Sequence, residues 1–243
     1  MNRLRLLKEG LLGLVFPEVC QICKEAHATP GEGYLCAGCR GALRPVERPF
    51  CERCGLPFHG DVTVVFQCPN CHEMELNFES ARSVFAAQGV GRELIHKYKY
   101  NRAFWFEPLF AELLRARVVP VTRTERWDCV VPVPLHPAKL REREFNQAER
   151  LARLVSQSTG LPVRGDLLRR VAHTDTQTKL TRAERAANVR AAFTGAGGSR
   201  IPSKRVILVD DVFTTGATTN ACAGVLRESG AAAVCVWTLA RGV

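Results

Sequence analysis

Residues 206–218 read VILVDDVFTTGAT. Four apolar residues, Val206 to Val209, run straight into two adjacent carboxylates, Asp210 and Asp211. A short unbroken apolar run bounded by a polar turn predicts a buried strand. Strands buried on both sides belong to parallel sheets covered by helices on both faces. In such sheets, ligands bind beyond the carboxyl ends of the strands, and here that end carries the two aspartates. The turn that follows leads into a helix expected over 218–229, whose first N–H groups and dipole favour a phosphate. Gly216 lets the backbone come close to a ligand, with Ala217 beside it, while Thr214, Thr215 and Thr218 supply hydroxyl donors. Two acceptors for hydroxyls beside a cradle for one phosphate match a ribose 5-phosphate. The Walker pattern GxxxxGK[ST] does not occur. The alternative, two solvated aspartates on an ordinary strand-turn-helix, gives no reason to end a buried strand in like charges.

The flanking sequence supports the same architecture. Strands are expected over 80–88, 129–133, 167–171, 206–210 and 232–239. Helices are expected over 91–98, 107–117, 145–158 and 218–229, and a capping box at Thr181 and Glu184 opens another through about Ala192. Apolar runs alternating with helices predict an α/β fold: a parallel sheet flanked by helices. Residues 195–203 read as a surface loop. The division expected is a short N-terminal helix over 1–16, a cysteine-rich module over 17–78 and the α/β domain over 79–243.

The module is marked by its cysteines. Cys20 and Cys23 are followed by Cys36 and Cys39; Cys51 and Cys54 are followed by Cys68 and Cys71. This is one unit written twice, a CxxC, a hairpin's length of chain and a second CxxC. Two thiolates on one tight turn chelate half of a tetrahedral zinc site, and a second such turn completes it. Pairing within each unit predicts two closed four-cysteine sites, structural and not catalytic, with interleaved pairing as the alternative. Gly55 follows Cys54 as a knuckle turn requires. His59 and His72 flank ligands but are not assigned as such. Disulfides would need an oxidising compartment, and no export signal is visible, because Lys8 and Glu9 interrupt the N-terminal apolar stretch. A redox CxxC would require one pair in a βαβ unit, not four pairs in loops. Cys129, Cys222 and Cys235 lie in apolar patterns and read as core residues.

Charge is divided unevenly. Residues 1–78 hold 8 Lys/Arg against 9 Asp/Glu, and residues 79–243 hold 26 against 15, within a formal net charge of +10. The basic excess lies in the α/β domain and suits an anionic partner, a phosphorylated metabolite or nucleic acid. No run is long enough to predict a transmembrane segment. Leu4, Leu7, Leu11, Leu14 and Val15 predict an amphipathic helix ended before Pro17 and packed on the protein, a membrane-surface anchor being the alternative. The expected location is cytoplasmic, or the inner face of the membrane. No convincing nucleophile or general-base triad is present.

Residues 206–218 resemble the 5-phosphoribosyl 1-pyrophosphate (PRPP) signature of type I phosphoribosyltransferases. The segment VPVPLH at 131–136, with Arg141, Arg143 and Phe145-Asn146-Gln147, resembles the ComF/GntX family. Family segments are also matched by Lys97-Tyr98-Lys99-Tyr100 and by Thr176, Gln177, Leu180, Arg185, Asn188 and Val189. That resemblance implies a double zinc ribbon ahead of a type I phosphoribosyltransferase-like domain. It implies that Asp210 and Asp211 bind the ribose hydroxyls and Thr214 to Thr218 the 5′-phosphate, and that PRPP is bound with Mg²⁺. Arg141, Arg143, Lys97 and Lys99 become the cations for pyrophosphate, and Lys179, Arg182 and Arg185 fall on a lid. Glu144 departs from the glycine usual in the family at that place. Three roles follow as expectations: phosphoribosyl transfer to an acceptor, a part in DNA uptake or natural competence with single-stranded DNA and the uptake machinery as partners, or PRPP sensing without turnover. Nucleotide metabolism is the alternative setting.

Overall fold

The computed structural model describes residues 18–58, 68–71, 75–172, 191–195 and 201–243. The N-terminal helix over 1–16, His59, His72, most of the helix expected from Thr181, and the lid residues Lys179, Arg182 and Arg185 lie outside the described residues.

Four parallel strands form the sheet: β1 (Ser80–Ala86), β2 (Cys129–Pro132), β5 (Arg205–Phe213) and β6 (Ala233–Arg241), in the order β1-β6-β5-β2. A second, antiparallel pair joins β3 (Leu168–Arg170) to β4 (Phe193–Gly195). The helices are α1 (Ala37–Gly41), α2 (Gly89–Tyr100), α3 (Glu107–Thr124), α4 (Pro137–Arg143), α5 (Gln147–Thr159) and α6 (Ala217–Glu228).

The unbroken apolar runs of β5 and β6 are explained by two separate cores. Side chains alternate across a strand, so Ile207 and Val209 join Cys235, Trp237 and Leu239 in one core with Leu94, Leu109, Phe110 and Leu151. Val206 and Leu208 join Val234 and Val236 in the other, with Ala221, Cys222 and Leu226 of α6. All nine residues of β6 are buried.

Each cysteine unit is seated in one of these cores. Cys20, Ala28, Leu35 and Cys36 pack with Leu109 and Phe110, while Cys51, Cys54 and Cys68 pack with Phe78, Ala81 and Phe213. Arg40 adds a two-pronged bond to Glu112 of α3, at 2.9 and 2.5 Å. The cysteine module therefore shares the apolar interior of the α/β domain.

The strand expected over 167–171 lies outside the parallel sheet, in the antiparallel pair with the unexpected β4, and three further differences bear on the site. The segment after β2, where no helix was expected before residue 145, forms the helix α4 bearing Arg141 and Arg143. His136 caps it through Nδ1, which accepts from Ala138 N at 3.2 Å, and Pro137 opens it with a pre-set φ. Strand β5 does not stop at Asp210 but continues to Phe213, because β6 pairs with it as far as Arg241. Helix α3 runs on to Thr124 through Pro120, its buried stripe of Leu109, Phe110 and Leu114 continuing to Val118.

Candidate functional site

The site opens where β2 leaves the sheet. β2 pairs with β5 over Val206 to Val209, and Val133 N donates to Val209 O at 2.9 Å as the chain departs. From Asp210 onward β5 keeps β6 as its neighbour but has lost β2. In a parallel sheet the space beyond such strand ends is the crevice where ligands bind, and here α4, the end of α2 and the turn before α6 bring Arg143, Lys99 and Thr214–Thr218 to it. Asn146 holds the departing chain, donating from Nδ2 to Val133 O at 3.0 Å.

The two aspartates are unequal. Asp211 is only 3% exposed, and its Oδ2 lies 2.8 Å from Lys99 Nζ at the end of α2. Asp210 is half-buried and accepts Asp211 N on Oδ1 at 2.9 Å. Burial pushes the Asp210 carboxyl up to about 6, against the pull of Lys99, Arg170 and Arg143. Burial draws the Lys99 ammonium below its ordinary range; Asp210 opposes that shift and Arg143 adds to it. Three cations and two carboxylates thus share one crevice. Arg143 lies with its guanidinium 5.0 Å from the centre of the Tyr100 ring.

Not every expected cation joins them. Lys97 pairs with Glu93 on its own helix at 3.4 Å, and Arg141 is exposed on α4. Glu144, the departure from glycine, sits at the C-cap of α4 with φ 65°, a left-handed position glycine occupies without strain. Its carboxylate meets Arg102 Nη1 at 2.8 Å.

The turn is built to present amides. Gly216 is the N-cap of α6 at φ 86° and has no side chain to cap the helix. Thr215 Oγ1 accepts from Ala217 N at a long 3.4 Å. Thr214 and Thr215 are exposed, Thr218 is half-buried, and Thr219 Oγ1 turns inward to Gly216 O at 3.1 Å. A Cβ on residue 216 would stand 2.4 Å from Phe213 Cζ, so glycine is needed for space as well as for φ.

The cysteines converge as two sets of four. Cys20, Cys23, Cys36 and Cys39 form one, and Cys51, Cys54, Cys68 and Cys71 the other; within each, all sulfurs lie within 4.8 Å of one another. Pairing is therefore within each unit. All eight are free thiols. Zinc–sulfur bonds of about 2.3 Å in a tetrahedron put sulfurs about 3.8 Å apart. The separations are 3.9 Å for Cys23–Cys36, 3.8 Å for Cys51–Cys71 and 3.6 Å for Cys54–Cys68. The residues fit closed zinc sites of four thiolates each, with no ligand position left open for catalysis. The two units share one turn: Lys24 N donates to Cys20 O at 3.0 Å and Gly55 N to Cys51 O at 2.8 Å. Both residues are left-handed, at φ 64° and 66°.

Two residues of this region carry no motif in the sequence. Arg170, on β3, bears on Asp210 from the antiparallel pair. Arg241, the last residue of β6, is 1% exposed and donates to the carbonyls of Phe213 and Thr214 at the start of the turn before α6. The one available signal was an arginine closing a strand whose other residues, Thr238 apart, are apolar.

No helix among the described residues is long and apolar enough to cross a membrane. A family model described as a double zinc ribbon domain matches residues 11–72. Competence protein F of Haemophilus influenzae is 32% identical over 213 residues, 85% of this chain and 90% of its own. DNA utilization protein YhgH of Escherichia coli K12 is 29% identical over 232 residues, 94% of this chain and 99% of its own. Competence protein ComFC of Streptococcus pneumoniae is 29% identical over 188 residues, 72% of this chain and 80% of its own. Among solved structures, a glutamine PRPP amidotransferase from B. subtilis complexed with ADP and GMP aligns at 25% identity and a TM-score of 0.35, over 52% of this chain and 24% of its own. Adenine phosphoribosyltransferase from Leishmania tarentolae aligns at 20% and 0.35, over 51% and 53%. The identity to competence protein F, sustained along nearly the whole of both chains, makes this chain a member of the ComF/YhgH family.

Proposed function

We propose that the chain binds PRPP in the crevice at the end of β5 and transfers or releases its phosphoribosyl group in the service of DNA uptake or nucleotide use. The observation that supports this most is the placing of Asp210 and Asp211 one short turn ahead of the uncapped start of α6. Asp210 accepts from a ribose hydroxyl, and Asp211 does so once Lys99 gives up its contact. The amides and hydroxyls from Thr214 to Thr218 hold the 5′-phosphate. Breaking the C1–O bond leaves positive charge on the ribose and negative charge on pyrophosphate. Lys99 and Arg143, with Arg170 across the crevice, stabilise the departing charge. Arg141 is exposed and Lys97 is paired with Glu93, so neither is assigned to the departing charge.

Magnesium is a hard cation that takes oxygen ligands and is commonly bound with substrate phosphates. Asp210 offers such an oxygen, while the cations around it leave no all-protein cage. The residues therefore fit a Mg²⁺ carried in on the pyrophosphate, where it supplies charge neutralisation.

Calorimetry with PRPP and MgCl2, beside an assay of pyrophosphate release, tests the reading. Binding at micromolar levels is expected, lost by at least tenfold in Asp210→Asn/Asp211→Asn. Equal affinity in that variant would remove the site assignment.

The net +11 of residues 79–243 favours a second reading, a non-catalytic accessory that binds PRPP or single-stranded DNA. Binding of an oligonucleotide that weakens steeply with salt, without pyrophosphate release, would select it.

A further inference from the structure

Arg241 is fully buried, yet its recorded bonds among the described residues go to carbonyls and a cysteine sulfur and not to a carboxylate. Its Nη1 donates to Phe213 O at 3.0 Å and Thr214 O at 2.7 Å, the carbonyls that open the phosphate turn, and to Gly242 O at 2.5 Å. Its guanidinium lies 4.8 Å from the centre of the Phe213 ring, the ring against which Gly216 is packed. Its Nη2 reaches Cys54 Sγ at 3.9 Å. A buried charge needs compensation, and four thiolates around one divalent ion carry a net charge of about −2. The second cysteine cluster is therefore the counter-charge of the residue that holds the turn. A separate link runs alongside it. Asn70, between Cys68 and Cys71, donates from Nδ2 to Thr215 O at 3.4 Å.

We infer that Arg241 is a positioning residue that couples metal at the Cys51/Cys54/Cys68/Cys71 site to the geometry of the Thr214–Gly216 turn. With metal bound, the cluster fixes the guanidinium, the guanidinium fixes two carbonyls, and the amides of the turn face the crevice. The inference rests on the ribose-phosphate reading for its ligand but not for its wiring. Coupling between two binding sites is reciprocal. If metal at the second cluster tightens PRPP, PRPP tightens that metal by the same factor. The first cluster, seated in the opposite core, takes no part.

The test uses the full chain loaded with Co²⁺, whose thiolate absorption reports each site. Metal release to a chelator is followed with and without PRPP and MgCl2. In the wild type, PRPP is expected to perturb the cobalt spectrum and slow release from one of the two sites at least fivefold. In Arg241→Lys, which keeps the charge but loses the fork, both responses vanish while two metals per chain remain. Asn70→Ala, on the cluster side, should weaken the same response and serves if the arginine variant does not fold. Hydrogen exchange at the amides of 214–219 is read in parallel without ligand, and both variants should speed it at least tenfold. PRPP binding with unchanged metal release in the wild type overturns the inference. If the wild type binds no PRPP, the ribose-phosphate reading fails, and the exchange measurement decides the wiring alone: unchanged exchange in both variants overturns it.

Discussion

Lys99 Nζ stands 2.8 Å from Asp211 Oδ2, joining the last turn of α2 to the buried end of β5 across 112 residues of chain. The pair lies inside the crevice, with the lysine side chain 21% exposed and the aspartate 5%. Removing one partner of a buried pair costs more than the pair contributes, because the survivor is left charged and unpaired. Lys99→Met should lower stability by about 3 kcal/mol. Adding Asp211→Asn should recover most of the loss. Urea unfolding of the two single variants and the double variant at pH 7 measures both effects.

Asp210 gives a pH signature of known sign. Its folded carboxyl is raised to about 6 from 3.8, so the folded state holds the proton longer than the unfolded one. The stability contributed by the Asp210 carboxyl is full below the lower value and is lost as pH rises through that window. Asp210→Asn has no such loss. Its melting temperature should match the wild type near pH 3.5, exceed it increasingly up to pH 6.5, and keep that lead above. PRPP affinity of the wild type should rise over the same window as the carboxylate ionises. A lead for the Asn variant that is constant with pH would contradict the assignment.

Gly216 is required twice, by its φ of 86° and by the ring of Phe213. That ring cannot swing aside, because Phe78 meets it edge-on at 5.9 Å and Arg241 lies over it. Gly216→Ala should cost more than about 1 kcal/mol and weaken PRPP at least tenfold. Adding Phe213→Leu relieves the collision but not the backbone strain, so thermal melting should show partial recovery only.

The repeated knuckle turn separates conformation from crowding. Lys24 and Gly55 hold the same left-handed position, but a Cβ at Gly55 would meet Ala81 O at 2.7 Å. Lys24→Gly should be neutral or stabilising by up to about 1 kcal/mol. Gly55→Ala should destabilise by more than that and loosen the second cluster, seen as zinc lost from that site during chelator titration.

Metal analysis should find two zinc ions per chain. Chelation should unfold the cysteine units and expose the α3 surface they cover, because Leu35 and Cys36 pack there with Leu109. Trypsin cleavage near Arg117 before and after chelation checks this.

Much was readable from the chain alone because its strongest signals are local. VILVDD followed by TTGAT states a buried strand, a turn and a helix start within a few residues. Paired CxxC units at matched spacing state the ligand sets, since a thiolate turn needs only its own four residues. The parallel sheet follows from apolar runs alternating with helices. Three-dimensional packing settled what depends on distant partners. That Lys99 rather than Lys97 meets the aspartates is decided by which face of α2 turns to β5. That Arg143 stays near them while Arg141 does not depends on α4, whose start at His136 and Pro137 a short loop reading conceals. The burial of Arg241 under the Thr214–Gly216 turn, within reach of Cys54, does not follow from an arginine closing a strand: such an arginine is ordinarily exposed, and here the turn's carbonyls and the second cysteine unit, both distant in sequence, cover it.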